Sequence, residues 1–363
     1  MTANVQPVRF LMPNSQGGAL PRALIKVHPE DWQVTEIYDE AFQEEGEHAY
    51  LYIEKRCLST IPVAQWLSEQ FQIPLLDVGY AGMKDKHALT RQWFSLRQPG
   101  LAAPLDAQTL TLNQGEEQIK VLASHLHHRK LRRGEHQGNR FRIVLRELDA
   151  TVDCQALVNN VKAGFPNYFG PQRFGRHNLA DALTWLGQRR RRKVSRQVRG
   201  WHLSVLRSWI FNRLLADRVA DGTWQEILEG DVLVPGDVTR DGVPVGPLWG
   251  RGREILSGQA LSRQEKTLAA TVASEGEPVG GKWDPSPTPE GQDIMSLGEV
   301  CEALEYAGVD RGQRPLSVVP WDVHCESADE TVTLSFSLPV GAYATVMLSN
   351  HFDLQDKSVE HRV

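Results

Sequence analysis

The chain has 363 residues, with 40 Lys and Arg against 45 Asp and Glu and a formal net charge of −5. That length exceeds what one hydrophobic core usually serves, so two domains are expected, and the mild acidity excludes an even positive coat for nucleic acid. No apolar run approaches the length needed to span a bilayer, and the N-terminus lacks the basic-then-apolar pattern of a secretory leader.

Four dispersed cysteines, Cys57, Cys154, Cys301 and Cys325, form no Cys-x-x-Cys pair. This argues against a zinc site and a disulfide framework and fits a reducing cytoplasm.

Residues 23–27 and 32–37 read as short strands around the turn His28-Pro29-Glu30-Asp31, and 49–55 alternates again, with Leu51 and Ile53 on one face. Ser59 and Thr60 offer a helix cap before Ile61, Val63, Ala64, Leu67 and Phe71 at helical spacing. Residues 90–95 alternate as a strand, and 118–123 and 140–146 read as two more, joined by a basic segment. A helix is expected over 152–163, ended by Gly164.

Composition shifts there, at the turn-rich Pro166-Asn167-Tyr168-Phe169-Gly170-Pro171. Helical patterns then dominate: one from Asn178 to Gly187, and a longer one marked by Leu203, Leu206, Ile210, Phe211, Leu214 and Val219. Capping-box patterns at Ser262–Glu265 and Ser296–Glu299 predict two further helix starts. The Gly- and Pro-rich stretch 275–293 reads as a surface loop, and 331–338 alternates as a last strand. Strands with intervening helices and hairpin-like links predict a mixed α/β (α+β) sheet domain interrupted by a helical segment.

Basic residues cluster. Arg129, Lys130, Arg132 and Arg133 lie in one run, and Arg190, Arg191, Arg192 and Lys193 in another that holds no acid. Both are candidates for RNA phosphates, since a chain acidic overall can still present a local positive face. Arg173 and Arg176 are weaker candidates of the same kind. His125, His127 and His128 lack metal-ligand spacing, so no metal is expected. No P-loop and no strand–Gly-x-Gly-x-x-Gly–helix unit is present, which argues against a triphosphatase and a dinucleotide enzyme.

The most informative stretch is Gly82-Met83-Lys84-Asp85-Lys86-His87, placed in a loop before the strand at 90–95. Gly82 permits a tight turn. The lysines on either side of Asp85 favour its charged form, which suits a nucleophile or base better than a proton donor. Taken alone, Lys-Asp-Lys reads first as a solvated turn. Gly138-Asn139-Arg140-Phe141 offers an amide for a pyrimidine edge and a ring to pack on it. The plainer reading is a turn residue followed by a core strand residue.

Four blocks tie these observations together. Residues 80–94 (YAGMKDKHALTRQWF), 128–141 (HRKLRRGEHQGNRF), 165–175 (FPNYFGPQRFG) and 336–345 (FSLPVGAYAT) resemble, in order, the motifs of the tRNA pseudouridine synthase D (TruD) family. The resemblance implies a pseudouridine synthase fold, a mixed, largely antiparallel sheet flanked by helices. It also implies an inserted TRUD domain over 164–318, between catalytic parts at 1–163 and 319–363. It further implies isomerisation of uridine in tRNA, at uridine 13 in the D-arm region, without a cofactor. Asp85 would be the nucleophile or base. Trp32, Asn139, Phe141 and Tyr343 would contact substrate, and Lys26 and Lys84 would hold a phosphate or orient Asp85. Trp32 and Tyr343 stand where the family commonly has phenylalanine. The expected partner is tRNA, with no membrane and no obligate protein partner. Two other classes stand beside this reading: an RNA-binding or remodelling protein with a vestigial pocket, and a metal-dependent nuclease. The second would want several acids around Mg²⁺, whereas the neighbourhood of Asp85 is basic.

Overall fold

The computed structural model describes residues 15, 20–100, 103–106, 110–175, 178–187, 194–235, 242–269, 296–328 and 330–358. The chain forms two compact units. One comprises Ala19–Ala163, Pro320–Ala344 and His351–Val363, and the other Met1–Gly18, Gly164–Val319 and Thr345–Asn350.

The first unit begins with β1 (Arg22–Ile25), β2 (Trp32–Ile37), β3 (His48–Arg56), α1 (Thr60–Gln70), β4 (Val78–Tyr80) and β5 (Leu89–Arg97). It continues with β6 (Thr111–Gln114), β7 (Glu117–His127), β8 (Gly138–Leu145) and α2 (Cys154–Lys162). β3 and β5 pair antiparallel along their whole length, from His48↔Arg97 to Arg56↔Leu89. Alternation therefore sends Leu51, Ile53, Phe94 and Leu96 to one face, where they pack on Val63, Ala64 and Leu67 of α1. Tyr50 and Trp93 form a second cluster with Ala81 and Leu131. Asp153 caps α2 by accepting from the Gln155 and Ala156 N–H groups. Gly164 follows in the left-handed region, at φ +92°, as the predicted helix stop requires.

The second unit contains β9 (Phe165–Pro166), α3 (Pro171–Phe174), α4 (Asn178–Gly187), α5 (Arg196–Ala220), β10 (Leu233–Val234) and β11 (Val243–Leu248). α6 (Gly258–Ala269), α7 (Leu297–Tyr306), β12 (Gly312–Pro315) and β13 (Ser317–Val318) complete its main run. The 25-residue α5 buries Leu203, Leu206, Ile210, Phe211 and Leu214, the stripe read from the sequence. Ser296 and Glu299 form the expected reciprocal capping box on α7. Ser262 does not cap: it lies inside α6, where its hydroxyl donates to the Gly258 carbonyl one turn back. A Ser-x-x-Glu pattern inside a helix satisfies the same spacing without starting anything. The predicted loop at 275–293 lies outside the described residues.

The chain returns through β14 (Trp321–Ala328) and β15 (Thr331–Pro339). α8 (Ala344–Ser349) follows, then β16 (Asp353–Asp356), which pairs parallel with β1. Among the described residues the first unit's large sheet has nine strands, in the order β14-β15-β8-β2-β5-β3-β7-β6, with β4 alongside β5. Its β2–β5 pairing is parallel and its other ladders are antiparallel, so it is the mixed, mostly antiparallel sheet expected. β4, β6, β14 and β16 have no counterpart among the strands expected from the sequence pattern.

One expectation is overturned. Cys154 on α2 and Cys325 on β14 form a disulfide, with Cα atoms 5.4 Å apart across a sequence separation of 171. α2 packs against β14, and this packing brings the two residues together. Cys57 and Cys301 are free and buried. Among the described residues no helix is long and apolar enough to cross a membrane.

Candidate active site

The loop between β4 and β5 carries Asp85, and fully buried side chains hold its backbone. Gln92 Nε2 donates to the Gly82 carbonyl (3.1 Å). Thr60 Oγ1 accepts from the Lys84 N–H (2.8 Å) and donates to Gln92 Oε1 (2.9 Å). Lys55 Nζ donates to the Asp85 carbonyl (2.9 Å) and to that of Leu58. Lys55, Thr60 and Gln92 are all 0 % exposed. Gly82 has no left-handed φ, so the turn itself does not call for glycine; the space beside it is tight. An added Cβ would meet Lys84 Nζ and His136 Cε1, each at 3.1 Å.

The charges around Asp85 are not those its sequence neighbours imply. Lys84 turns to Glu36 (2.7 Å), with both side chains buried, and Lys86 turns to Glu117 (3.7 Å). Lys26, distant in sequence, brings its ammonium to the Asp85 carboxylate, at 3.5 Å. Lys26 is buried, stands in the left-handed region at φ +57°, and places its ammonium 4.5 Å from the Trp32 ring centre. Such a backbone costs a non-glycine residue on the order of 1 kcal/mol or more and is a common mark of functional sites. Asp356 of β16 also approaches Lys26, at 3.8 Å. Two nearby acids are consumed by partners. Asp31 takes a two-pronged bond from Arg146 (2.8 and 2.9 Å), and Glu36 accepts from Lys84 and from the Trp93 N–H. The Asp85 side chain alone of these three keeps about a third of its surface open (35 %).

Burial lowers Lys55 from its ordinary value to about 7; the Asp85 charge opposes this, and Lys84 adds to it. Its folded form therefore refuses a proton that the unfolded chain still holds. Its contribution to stability is full near pH 10 and is lost as pH falls to about 7. Wild type should gain stability relative to Lys55→Met across that window. Urea unfolding of both proteins at pH 6, 7.5 and 9 measures this; a constant difference would refute it. Burial likewise depresses His136, beside the Glu36–Lys84 pair, with Glu36 opposing.

Asn139 and Phe141 lie on β8, two residues apart on one face, opposite Glu36 and Val34 of β2. Asn139 Oδ1 is buried and has no hydrogen-bond partner among the described residues. Phe141 is nearly buried and stacks on Phe336 of β15, with centroids 5.2 Å apart, so one of its faces is already occupied. Trp32 is 2 % exposed. It forms the floor under Lys26 rather than an open stacking face, because β2 is a central strand. Tyr343 is half-buried, shortly after the end of β15.

The basic run divides. Arg129 is paired with Glu40 and Glu135, and Lys130 donates to the Leu76 carbonyl, so both serve the local structure. Arg132 and Arg133 are exposed, and Arg133 lies 4.3 Å over the Tyr80 ring. Glu135 lies within the run itself, but Glu40 is distant in sequence, so only half of the neutralisation of Arg129 was legible there. Arg173 donates to Ser204 and Ser208. Arg176, Arg190, Arg191, Arg192 and Lys193 lie outside the described residues.

Sequence reading missed Glu36, Lys55, Thr60, Gln92 and Asp356. A signal existed for Lys55, which falls in phase with Leu51 and Ile53 on the core face of β3.

Comparison with known proteins adds independent findings. The family model for tRNA pseudouridine synthase D (TruD) matches residues 20–183. A tRNA pseudouridine synthase D from Methylococcus capsulatus is 38 % identical, covering 93 % of this chain and 93 % of that protein. One from Pseudomonas syringae pv. syringae is 36 % identical over 96 % of each. In fold, the chain is similar to the crystal structure of a TruD protein from Methanosarcina mazei. The TM-score is 0.65 at 18 % identity, covering 94 % of this chain and 96 % of that one.

Proposed function

The chain belongs to the tRNA pseudouridine synthase D family and is a tRNA pseudouridine synthase, and from this premise we propose that it isomerises uridine 13 of tRNA through Asp85. The observation that carries this reading is the state of the Asp85 carboxylate. It is open to solvent and faced by a buried ammonium, on a loop whose backbone is held at three successive points.

The reaction breaks the N1–C1′ bond, turns the uracil and joins it through C5. The sum neither gains nor loses an atom, so no cofactor enters. The target nucleotide must first leave its stack. Asp85 then acts at the sugar as nucleophile or base. If its oxygen bonds to C1′, N1 leaves with the electron pair, and the Lys26 ammonium offsets the charge on the freed base. The unpaired Asn139 Oδ1 suits the N3–H of uracil, a donor that would satisfy a buried acceptor. Lys84, tied to Glu36, orients the loop rather than a phosphate. Trp32 supports Lys26, and Phe141 and Tyr343 border the base.

Residues 164–318 form the inserted TRUD domain, between catalytic parts at 1–163 and 319–363. Phosphate contacts come from Arg132 and Arg133 and from the run Arg190, Arg191, Arg192 and Lys193. The protein acts in the cytoplasm, on tRNA. Carbodiimide mapping of pseudouridine in tRNA incubated with the protein tests the assignment. A new adduct at position 13 is expected, and adducts only elsewhere would refute that target.

Changing Arg190 through Lys193 to serine should weaken tRNA binding broadly. It should also reduce the salt slope by about one for each phosphate left without its cation. An unchanged slope would show that this run neutralises no phosphate.

A further inference from the structure

Lys55 stands at a core-facing position of β3, in phase with Leu51 and Ile53, and is 0 % exposed. An ammonium there bears a desolvation cost that a side chain of similar length without charge would avoid. What it provides in return is specific: it donates to two main-chain carbonyls, those of Leu58 and Asp85. Two other fully buried polar side chains converge on the same loop, Gln92 at Gly82 and Thr60 at Lys84. Three buried donors and acceptors thus grip successive parts of one short segment, and the segment ends at the carboxylate facing Lys26.

We propose that Lys55 is a positioning residue for the isomerisation, fixing the Asp85 main chain so that its carboxylate stays aimed at the sugar carbon. This rests on the reading of Asp85 as the reacting group. Lys55 does not touch substrate; it acts through the Asp85 carbonyl. Its effect therefore falls on the chemical step and not on tRNA affinity. The depressed proton affinity of Lys55 fits a group held for geometry at a cost in solvation, with Asp85 the nearby charge that favours its ammonium form.

The test compares wild type with Lys55→Met, Thr60→Val and Asp85→Asn. Single-turnover rates are measured at saturating tRNA per folded molecule, alongside tRNA dissociation constants. Lys55→Met should slow the step roughly 100-fold, the scale of a small misplacement of a reacting group. Its dissociation constant should stay within about threefold. Thr60→Val should show the same split at roughly tenfold. A Lys55→Met rate within threefold of wild type, beside an inactive Asp85→Asn, overturns the positioning role alone. So does a rate loss matched by an equal loss of affinity. Should Asp85→Asn keep wild-type turnover, the reading of Asp85 falls and the positioning role with it. If Lys55→Met does not fold, the same criteria apply to Thr60→Val, which removes only a hydroxyl.

Discussion

Asp85→Asn should lower pseudouridine formation by roughly 10⁴-fold or more, the scale seen when an attacking side chain is removed. An amide has almost the same shape as the carboxylate but is a poor nucleophile and base. The change leaves the loop in place, because Lys55 grips the Asp85 main chain and not its side chain. Thr60 and Gln92 are equally indifferent to it. Lys26 loses one carboxylate but keeps Asp356 and the Trp32 ring. Affinity for tRNA should stay within about threefold, since phosphate contacts dominate it. Tritium release from C5-labelled uridine in tRNA measures the first quantity and filter binding the second. Turnover within tenfold of wild type would remove Asp85 from the chemistry. A fall in turnover matched by an equal fall in affinity would instead point to a role in holding RNA.

The largest expected effect on stability is at the Glu36–Lys84 pair. Both side chains are buried, at 0 % and 3 % exposure, and their separation is 2.7 Å. Lys84→Met leaves the Glu36 carboxylate in the sheet with the Trp93 N–H as its remaining donor. Breaking a buried pair from one side costs about 3–5 kcal/mol, because the other charge is stranded. Glu36→Gln should cost a similar amount by stranding the ammonium beside His136. The double variant Glu36→Gln/Lys84→Met should recover part of the loss, since no charge is then left unpaired. Urea unfolding of the four proteins gives the coupling. Two single variants each within about 1 kcal/mol of wild type would show that water or protonation already relieves the pair.

Pattern and motif legible in the chain carried the reading far. Period-two alternation located β2, β3, β5, β8 and β15, and each lies where one face meets a core. The 3.6-residue stripe located α5, Gly164 marked the end of α2, and the capping box located the start of α7. Short edge strands such as β4, β6 and β16 escaped, because three or four residues carry too little alternation to register. Asp85, Asn139 and Phe141 are candidates through motif resemblance. Their partners carry no such mark: Lys84-Asp85-Lys86 reads as a charge cluster, yet each of its lysines turns to a glutamate far away in sequence.

Read along the chain alone, the residues identify the family and the type of sheet and offer Asp85 as the candidate carboxylate. These follow from local patterns and from residue types that the chemistry demands at short spacing. What surrounds that carboxylate is set by the folded arrangement of distant segments. Lys26 comes from the end of β1, Lys55 from β3, Thr60 from the start of α1 and Gln92 from β5. Electrostatic and hydrogen-bond partners are chosen by distance in space, and strand pairing brings together residues whose separation along the chain carries no trace of that proximity.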